Sequence, residues 1–79
     1  MRVFYTDVVA IFDEGVGNST LSQALDEIIS KGTVKVQKTG EPRSVVFYDG
    51  EDGKQHAYIS NLSGRALFSR FEKHGFIFI

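Results

Sequence analysis

The sequence predicts a small α+β domain, a two-layer sandwich in which two helices pack on one face of a mainly antiparallel sheet. Two stretches place apolar residues at helical spacing, and five stretches are rich in β-branched and aromatic residues. The 79-residue length suits one hydrophobic core rather than two. We therefore expect a single domain over residues 1–79, with the order β-α-β-β-β-α-β.

The first predicted element is a strand over residues 2–12, where Val, Phe, Tyr, Thr and Ile dominate. Asp7 interrupts the apolar stretch, which predicts a β-bulge near that position. A helix over residues 7–14, capped by Thr6, is the competing interpretation, because four apolar residues also fall at helical spacing: Tyr5, Val8, Val9 and Phe12. The sequence leaves this choice between strand and helix open.

A helix is predicted after Thr20, which forms a capping box with Gln23. Its apolar residues recur at i, i+3, i+4, i+7 and i+8: Leu21, Ala24, Leu25, Ile28 and Ile29. Gly32 can adopt the left-handed conformation that ends many helices. We therefore expect this helix to end there.

The pattern of residues 33–60 predicts a three-stranded antiparallel meander. Its strands are expected over residues 33–38, 44–49 and 54–60. The first segment alternates polar and apolar residues, the second is apolar on both sides, and the third alternates again. The connecting segments contain Gly40, Pro42, Gly50 and Gly53, which are typical of turns. The second strand is expected in the middle of the sheet.

A second helix is predicted over residues 62–74, capped by Asn61 and ended by Gly75. Its inner face is expected to comprise Gly64, Leu67, Phe68 and Phe71. Residues 76–79 are wholly apolar and predict a last strand that is paired inside the sheet. Two architectures fit this order: a ferredoxin-like split βαβ unit with one added strand, and an α-β-β-β-α core like that of double-stranded-RNA-binding domains.

Composition excludes several classes of protein. The sequence has no Cys, which excludes disulfides, thiolate metal sites and thiol catalysis. Its longest apolar run is too short for a membrane span, and the N-terminus lacks the pattern of a signal peptide, so we expect a cytoplasmic protein without membrane association. Net charge is −1. Residues 1–32 carry −3 and residues 33–79 carry +2, which makes one end of the molecule mildly acidic and the other mildly basic.

Motifs for catalysis or cofactor binding are weak, and we predict no enzyme activity, no cofactor and no metal. His56 alternates outward on a strand and His74 ends a helix, positions that favour structural roles. The acidic turn at residues 49–53 lacks the Glu that an EF-hand loop requires at its twelfth position, where Ser60 stands. Gly15 and Gly17 precede a helix, but Thr20 occupies the third glycine position of a dinucleotide motif.

The aromatic residues at 3–5 and 44–48 superficially resemble the two aromatic-bearing strands of RNA-recognition motifs. The glycines of that consensus are missing from the second stretch, and an extra strand precedes the second helix. We therefore assign the chain to no family on its sequence.

The function is predicted from the sheet face that the helices would leave open. If they cover Val34, Val36, Phe47 and Ile59, the other face shows Lys35, Gln37, Val46, Tyr48, His56 and Tyr58. Together with basic residues of the second helix, this predicts a partner-binding set: Lys35, Tyr48, His56, Tyr58, Arg65, Arg70 and Lys73.

The leading hypothesis is a non-enzymatic regulatory protein that occludes or bridges a partner protein, as small regulators and bacteriophage-encoded inhibitors of host machinery or defence do. The alternative is a module that binds single-stranded nucleic acid with the open face and basic residues of the chain, Lys38 and Arg43 among them. A homodimer through the open sheet face is a further possibility.

Overall fold

The computed structural model describes residues 1–13, 26, 30, 32–36 and 42–79, and within them it gives the bounds of six strands and of one α-helix. The strands are β1 (Arg2–Phe4), β2 (Val8–Asp13), β3 (Val34–Val36), β4 (Ser44–Asp49), β5 (Gln55–Ser60) and β6 (Phe76–Phe78). The helix is α1 (Gly64–His74), and a 3-10 turn, Tyr5–Asp7, separates β1 from β2. The protein is a small α+β domain.

The described strands form a mixed four-stranded sheet and a separate two-stranded ribbon. The sheet has the order β2-β4-β5-β3, in which β4 pairs antiparallel with β2 and β5 while β3 runs parallel to β5. β1 and β6 form the antiparallel ribbon, with Val3 opposite Ile77. The described residues contain no helix that is long and apolar enough to cross a membrane.

The predicted meander is confirmed for its second and third strands and wrong for its first. β4 and β5 form an antiparallel hairpin, and β4 lies in the middle of the sheet, as its two apolar faces predict. β3 lies beside β5 instead of β4, with Val34 level with Ala57. Alternation along β3 identifies a strand with one wet side, but it does not specify the neighbouring strand or its direction.

The predicted first strand is present but divided. The 3-10 turn Tyr5–Asp7 ends the pairing with β6, and the chain then joins the larger sheet as β2. A register shift between Val8 and Ala10 gives the irregularity expected near Asp7. The competing prediction of a helix is wrong for residues 8–13, which form β2.

α1 begins two residues later than predicted. Ser63, rather than Asn61, is its N-cap, because the Ser63 hydroxyl accepts a hydrogen bond from the Ala66 N–H at 3.2 Å. Gly75 ends the helix at φ 76°, as expected. Phe68 does not belong to the inner face: its side chain is 44% exposed, whereas Gly64, Leu67 and Phe71 are buried.

The orientation of the sheet corrects the predicted open face. Leu67 and Phe71 of α1 belong to one core cluster with Val46, Tyr48 and Tyr58, so the helix covers the face that was expected to be open. The opposite face is buried too, around Val45, Phe47 and Ala57. Because β4 is apolar on both sides, alternation could not tell which side the helix would take.

The predicted first helix lies largely outside the described residues. Asp26 and Ser30 are described, and both have helical backbone. Gln37 and Lys38, at the end of the predicted strand over residues 33–38, also lie outside them.

Candidate functional site

The structure separates the predicted partner-binding residues into three groups. Tyr48 and Tyr58 are only 2% and 8% exposed, so they are core residues that present little surface to a partner. His56 is mostly buried and is held by hydrogen bonds. The remaining four residues are exposed: Lys35, Arg65, Arg70 and Lys73.

His56 connects three segments of the chain, and we call this arrangement the His56 clasp: Thr33, Asp52 and His56. The Thr33 backbone N–H donates to His56 Nδ1 at 3.0 Å, and the Thr33 hydroxyl also contacts that nitrogen. On the other side, His56 Nε2 lies 3.0 Å from Asp52 Oδ1 and 3.1 Å from Oδ2. The clasp therefore joins the residue before β3, strand β5 and the β4–β5 turn.

The hydrogen bonds define the proton positions in the clasp. A backbone N–H can only donate, so Nδ1 must accept and carry no proton. The remaining proton of a neutral imidazole then sits on Nε2, which donates it to the Asp52 carboxylate. A hydroxyl, an imidazole and a carboxylate in a row resemble a nucleophile, base and orienting group. However, the lone pair that a general base would need already accepts the Thr33 N–H, so the arrangement supports positioning rather than catalysis.

Two neighbouring groups have displaced pKa values. The hydrogen bond from His56, and then that from the Lys54 N–H, lower the pKa of Asp52 below its usual value. Burial, and secondly the negative charge of Asp52, raise the pKa of the Tyr48 phenol. Asp52 is therefore ionised and Tyr48 neutral at physiological pH.

A cavity of about 330 Å³ lies beside the clasp, between β1 and the β4–β5 turn. Tyr48 and His56 line it together with groups of both charges: Arg2, Asp7, Lys35, Asp49, Glu51 and Asp52. Its volume is at the lower end of the range for small-molecule pockets. Nowhere in the described part of the chain do three or more His, Asp or Glu side chains form a group that could hold a metal ion.

The β1–β6 ribbon presents aromatic side chains to solvent, and we call its outer face the aromatic ribbon: Arg2, Phe4, Phe76 and Phe78. Phe78 is 73% exposed and Phe4 is 46% exposed. The ring centroids of Phe4 and Phe76 are 5.9 Å apart, and those of Phe76 and Phe78 are 5.3 Å apart. The Arg2 guanidinium carbon lies 5.4 Å from the centre of the Phe76 ring. The four side chains thus form one contiguous group.

The exposed aromatic residues continue from the ribbon to α1. Tyr5, which follows Phe4 in the chain, is 47% exposed, and its ring centroid lies 5.9 Å from that of Phe68. Arg65 and Phe68 are three residues apart and so are neighbours on the helix surface. Arg70, Phe78 and Ile77 line a common depression on the other side of the helix. Basic side chains therefore flank both groups of aromatic rings.

The aromatic ribbon was missed by sequence reasoning, although a signal was present. Phe76 and Phe78 alternate with Ile77 and Ile79, so a strand there must place two aromatic residues on the side opposite its isoleucines. The sequence cannot show that the strand lies in a two-stranded ribbon with only one covered side.

Comparisons of the chain with models of protein families, with curated proteins and with solved structures found no match.

Proposed function

We propose that this protein is a non-enzymatic binding protein that occludes or bridges a partner protein through the aromatic ribbon and the adjoining surface of α1. One observation carries the proposal: Phe4 and Phe78 are strongly exposed in a chain of only 79 residues. A domain this small needs its aromatic residues for its core, and exposed apolar patches commonly mark interaction sites.

The chemistry of the surface indicates the kind of partner. Aromatic residues and Arg are enriched at the energetic centres of protein interfaces, and Phe side chains gain most when they are buried against other apolar groups. Arg65, Arg70 and Lys73 form no ion pair with any carboxylate among the described residues. The partner is therefore expected to offer an apolar groove bordered by acidic side chains.

The test is capture of the partner from a nuclease-treated lysate of the source cells, with bound chains identified by mass spectrometry. The double variant Phe4→Ser/Phe78→Ser should lose a protein that the wild type retains, while both keep the same melting midpoint. Val9→Ser is the matched control, because Val9 is 52% exposed and lies on β2, outside the ribbon. Equal capture by the double variant and the wild type would contradict the proposal.

Nucleic acid is the competing partner, because single strands also stack on aromatic rings bordered by Arg and Lys. A titration with labelled oligonucleotides at two salt concentrations distinguishes the two. We expect weak binding at low salt. Tight binding that falls steeply as salt rises, and that the double variant loses, would favour the nucleic-acid function instead.

A further inference from the structure

The His56 clasp holds the edge strand β3 in place. Thr33 immediately precedes β3, and its carbonyl accepts a hydrogen bond from the Ala57 N–H at 3.0 Å. Its own N–H donates to the side chain of His56, one residue before Ala57. β3 has three residues and pairs, within the described sheet, with β5 alone. The imidazole thus attaches the start of this strand to β5.

The hydrogen bond from the Thr33 backbone N–H exists only while Nδ1 carries no proton. When Nδ1 gains a proton it becomes a donor, and it then faces the Thr33 N–H, which is also a donor. The hydrogen bond from the backbone N–H is lost, and the Nδ1–H donates instead to the Thr33 hydroxyl oxygen, which contacts the same nitrogen. The contact on the opposite side behaves differently, because the Nε2–H still donates to Asp52 and the added positive charge strengthens that interaction.

We propose that His56 is a proton-controlled clasp, in which protonation releases the Thr33 backbone N–H and so loosens the start of β3, while Asp52 keeps the imidazolium in place. The backbone hydrogen bond is present while the imidazole is neutral and absent once Nδ1 is protonated.

The surroundings of His56 favour retention of the charged ring. Four carboxylates line the cavity into which the clasp faces: Asp7, Asp49, Glu51 and Asp52. The cations nearby are Arg2 and Lys35 in the same cavity and Lys54 on the opposite side of the clasp. The Tyr48 ring centroid is 5.6 Å from that of the imidazole, a distance at which an aromatic ring attracts a cation. Loss of the hydrogen bond from the Thr33 backbone N–H is therefore the expected response to protonation.

Amide hydrogen exchange tests the clasp directly. The protection factor of the Thr33 amide, which corrects for the intrinsic effect of pH on exchange, should fall about fivefold or more between pH 8 and pH 5.5. The amide of Val46, in the central strand, should show no such change. A Thr33 protection factor that is the same at both pH values would overturn the proposal.

Two matched variants identify the responsible group. In His56→Asn, the side-chain oxygen takes the place of Nδ1 as an acceptor but does not titrate. The fall in the Thr33 protection factor between pH 8 and pH 5.5, which we call the pH step, should therefore disappear. His74→Asn makes the same change at the end of α1 and should keep the step. The proposal fails if the step persists in His56→Asn or disappears in His74→Asn.

If His56→Asn does not fold, a measurement on the wild-type protein alone tests the proposal. NMR of the imidazole nitrogens should show the proton on Nε2 at pH 8. The Thr33 amide shift should then follow the protonation of His56 with the same midpoint. Different midpoints, or a proton on Nδ1 at pH 8, would contradict the proposed clasp.

Discussion

At the scale of single residues, Gly64 shows how the absence of a side chain defines the start of a helix. Its backbone N–H donates to Asp13 Oδ1 at 2.6 Å, so a carboxylate at the end of β2 satisfies the first turn of α1. A Cβ on Gly64 would lie 2.9 Å from that oxygen, which is too close. The carboxylate also has the favourable sign for the positive end of the helix dipole.

Gly64→Ala is therefore expected to destabilise the protein although Ala is the better helix former. Displacing Asp13 should outweigh the gain in propensity and lower the free energy of unfolding by about 1 kcal/mol in denaturant titrations. In an Asp13→Ala background, the same substitution should leave the free energy of unfolding unchanged or raise it, because no carboxylate is left to displace. Equal losses in both backgrounds would show that Asp13 is not the cause.

Asp52 should contribute to the acid dependence of stability. Its pKa is lowered in the folded state by His56 and Lys54, so the ionised form stabilises the fold above the ordinary carboxyl pKa of about 4. That contribution is lost as the pH falls through the lower, folded-state pKa. Between pH 5 and pH 3 the wild type should lose more stability than Asp52→Asn. Glu51→Gln, in the same turn, is the control and should keep the wild-type pH profile.

At the scale of secondary-structure elements, neighbouring residues of β6 have different roles. One side of the strand contributes to the core, and the other side is exposed and available for binding. Ile77 is 6% exposed and belongs to the core, whereas its neighbour Phe78 is 73% exposed. Ile77→Ala should lower the free energy of unfolding by about 2–4 kcal/mol, while Phe78→Ala should change it little. Chemical denaturation of the two variants measures this difference. A large loss in Phe78→Ala would mean that Phe78 is a structural residue and not a free anchor.

Most elements could be predicted from the sequence, whereas their arrangement could not. The continuous apolar run of β4, the alternation along β5 and the turn residues between them identify the hairpin, because these signals are local. The parallel position of β3 depends on contacts distant in sequence, which alternation along Val34, Lys35 and Val36 does not encode. The exposure of the predicted binding face could not be foreseen for the same reason: Tyr48 and Tyr58 lie on one face, as expected, but Leu67 and Phe71 cover that face.

At the scale of the whole molecule, the sheet is buried on both faces around β4. Val46 and Tyr48 pack toward α1, and Val45 and Phe47 belong to the cluster on the opposite face. Amides of β4 and β5 should consequently exchange most slowly, and those of β3 fastest among the strands of the larger sheet. Residue-resolved hydrogen exchange at neutral pH checks this order. Faster exchange in β4 than in β3 would contradict the two-sided core.

The charges of α1 should contribute to recognition and not to folding. Arg65, Arg70 and Lys73 are exposed, and exposed charges rarely contribute more than about 1 kcal/mol to stability. The triple change to Ser should leave the melting midpoint nearly unchanged and weaken capture of the partner. Lys54→Ser, an exposed cation in the β4–β5 turn, is the control. Undiminished capture by the triple variant would restrict the binding surface to the aromatic ribbon.

The β1–β6 ribbon also has a consequence for the kinetics of folding. It pairs Arg2 with Phe78, residues near opposite ends of the 79-residue sequence, whereas the β4–β5 hairpin closes over a short turn. Contacts between distant residues carry the larger loop-closure cost, so we expect the hairpin to form early and the ribbon to close after the rate-limiting step. Ile77→Ala should then accelerate unfolding in stopped-flow experiments and leave the refolding rate nearly unchanged. The binding surface would in that case be completed only when the rest of the chain has already folded, and slower refolding of Ile77→Ala would refute this order.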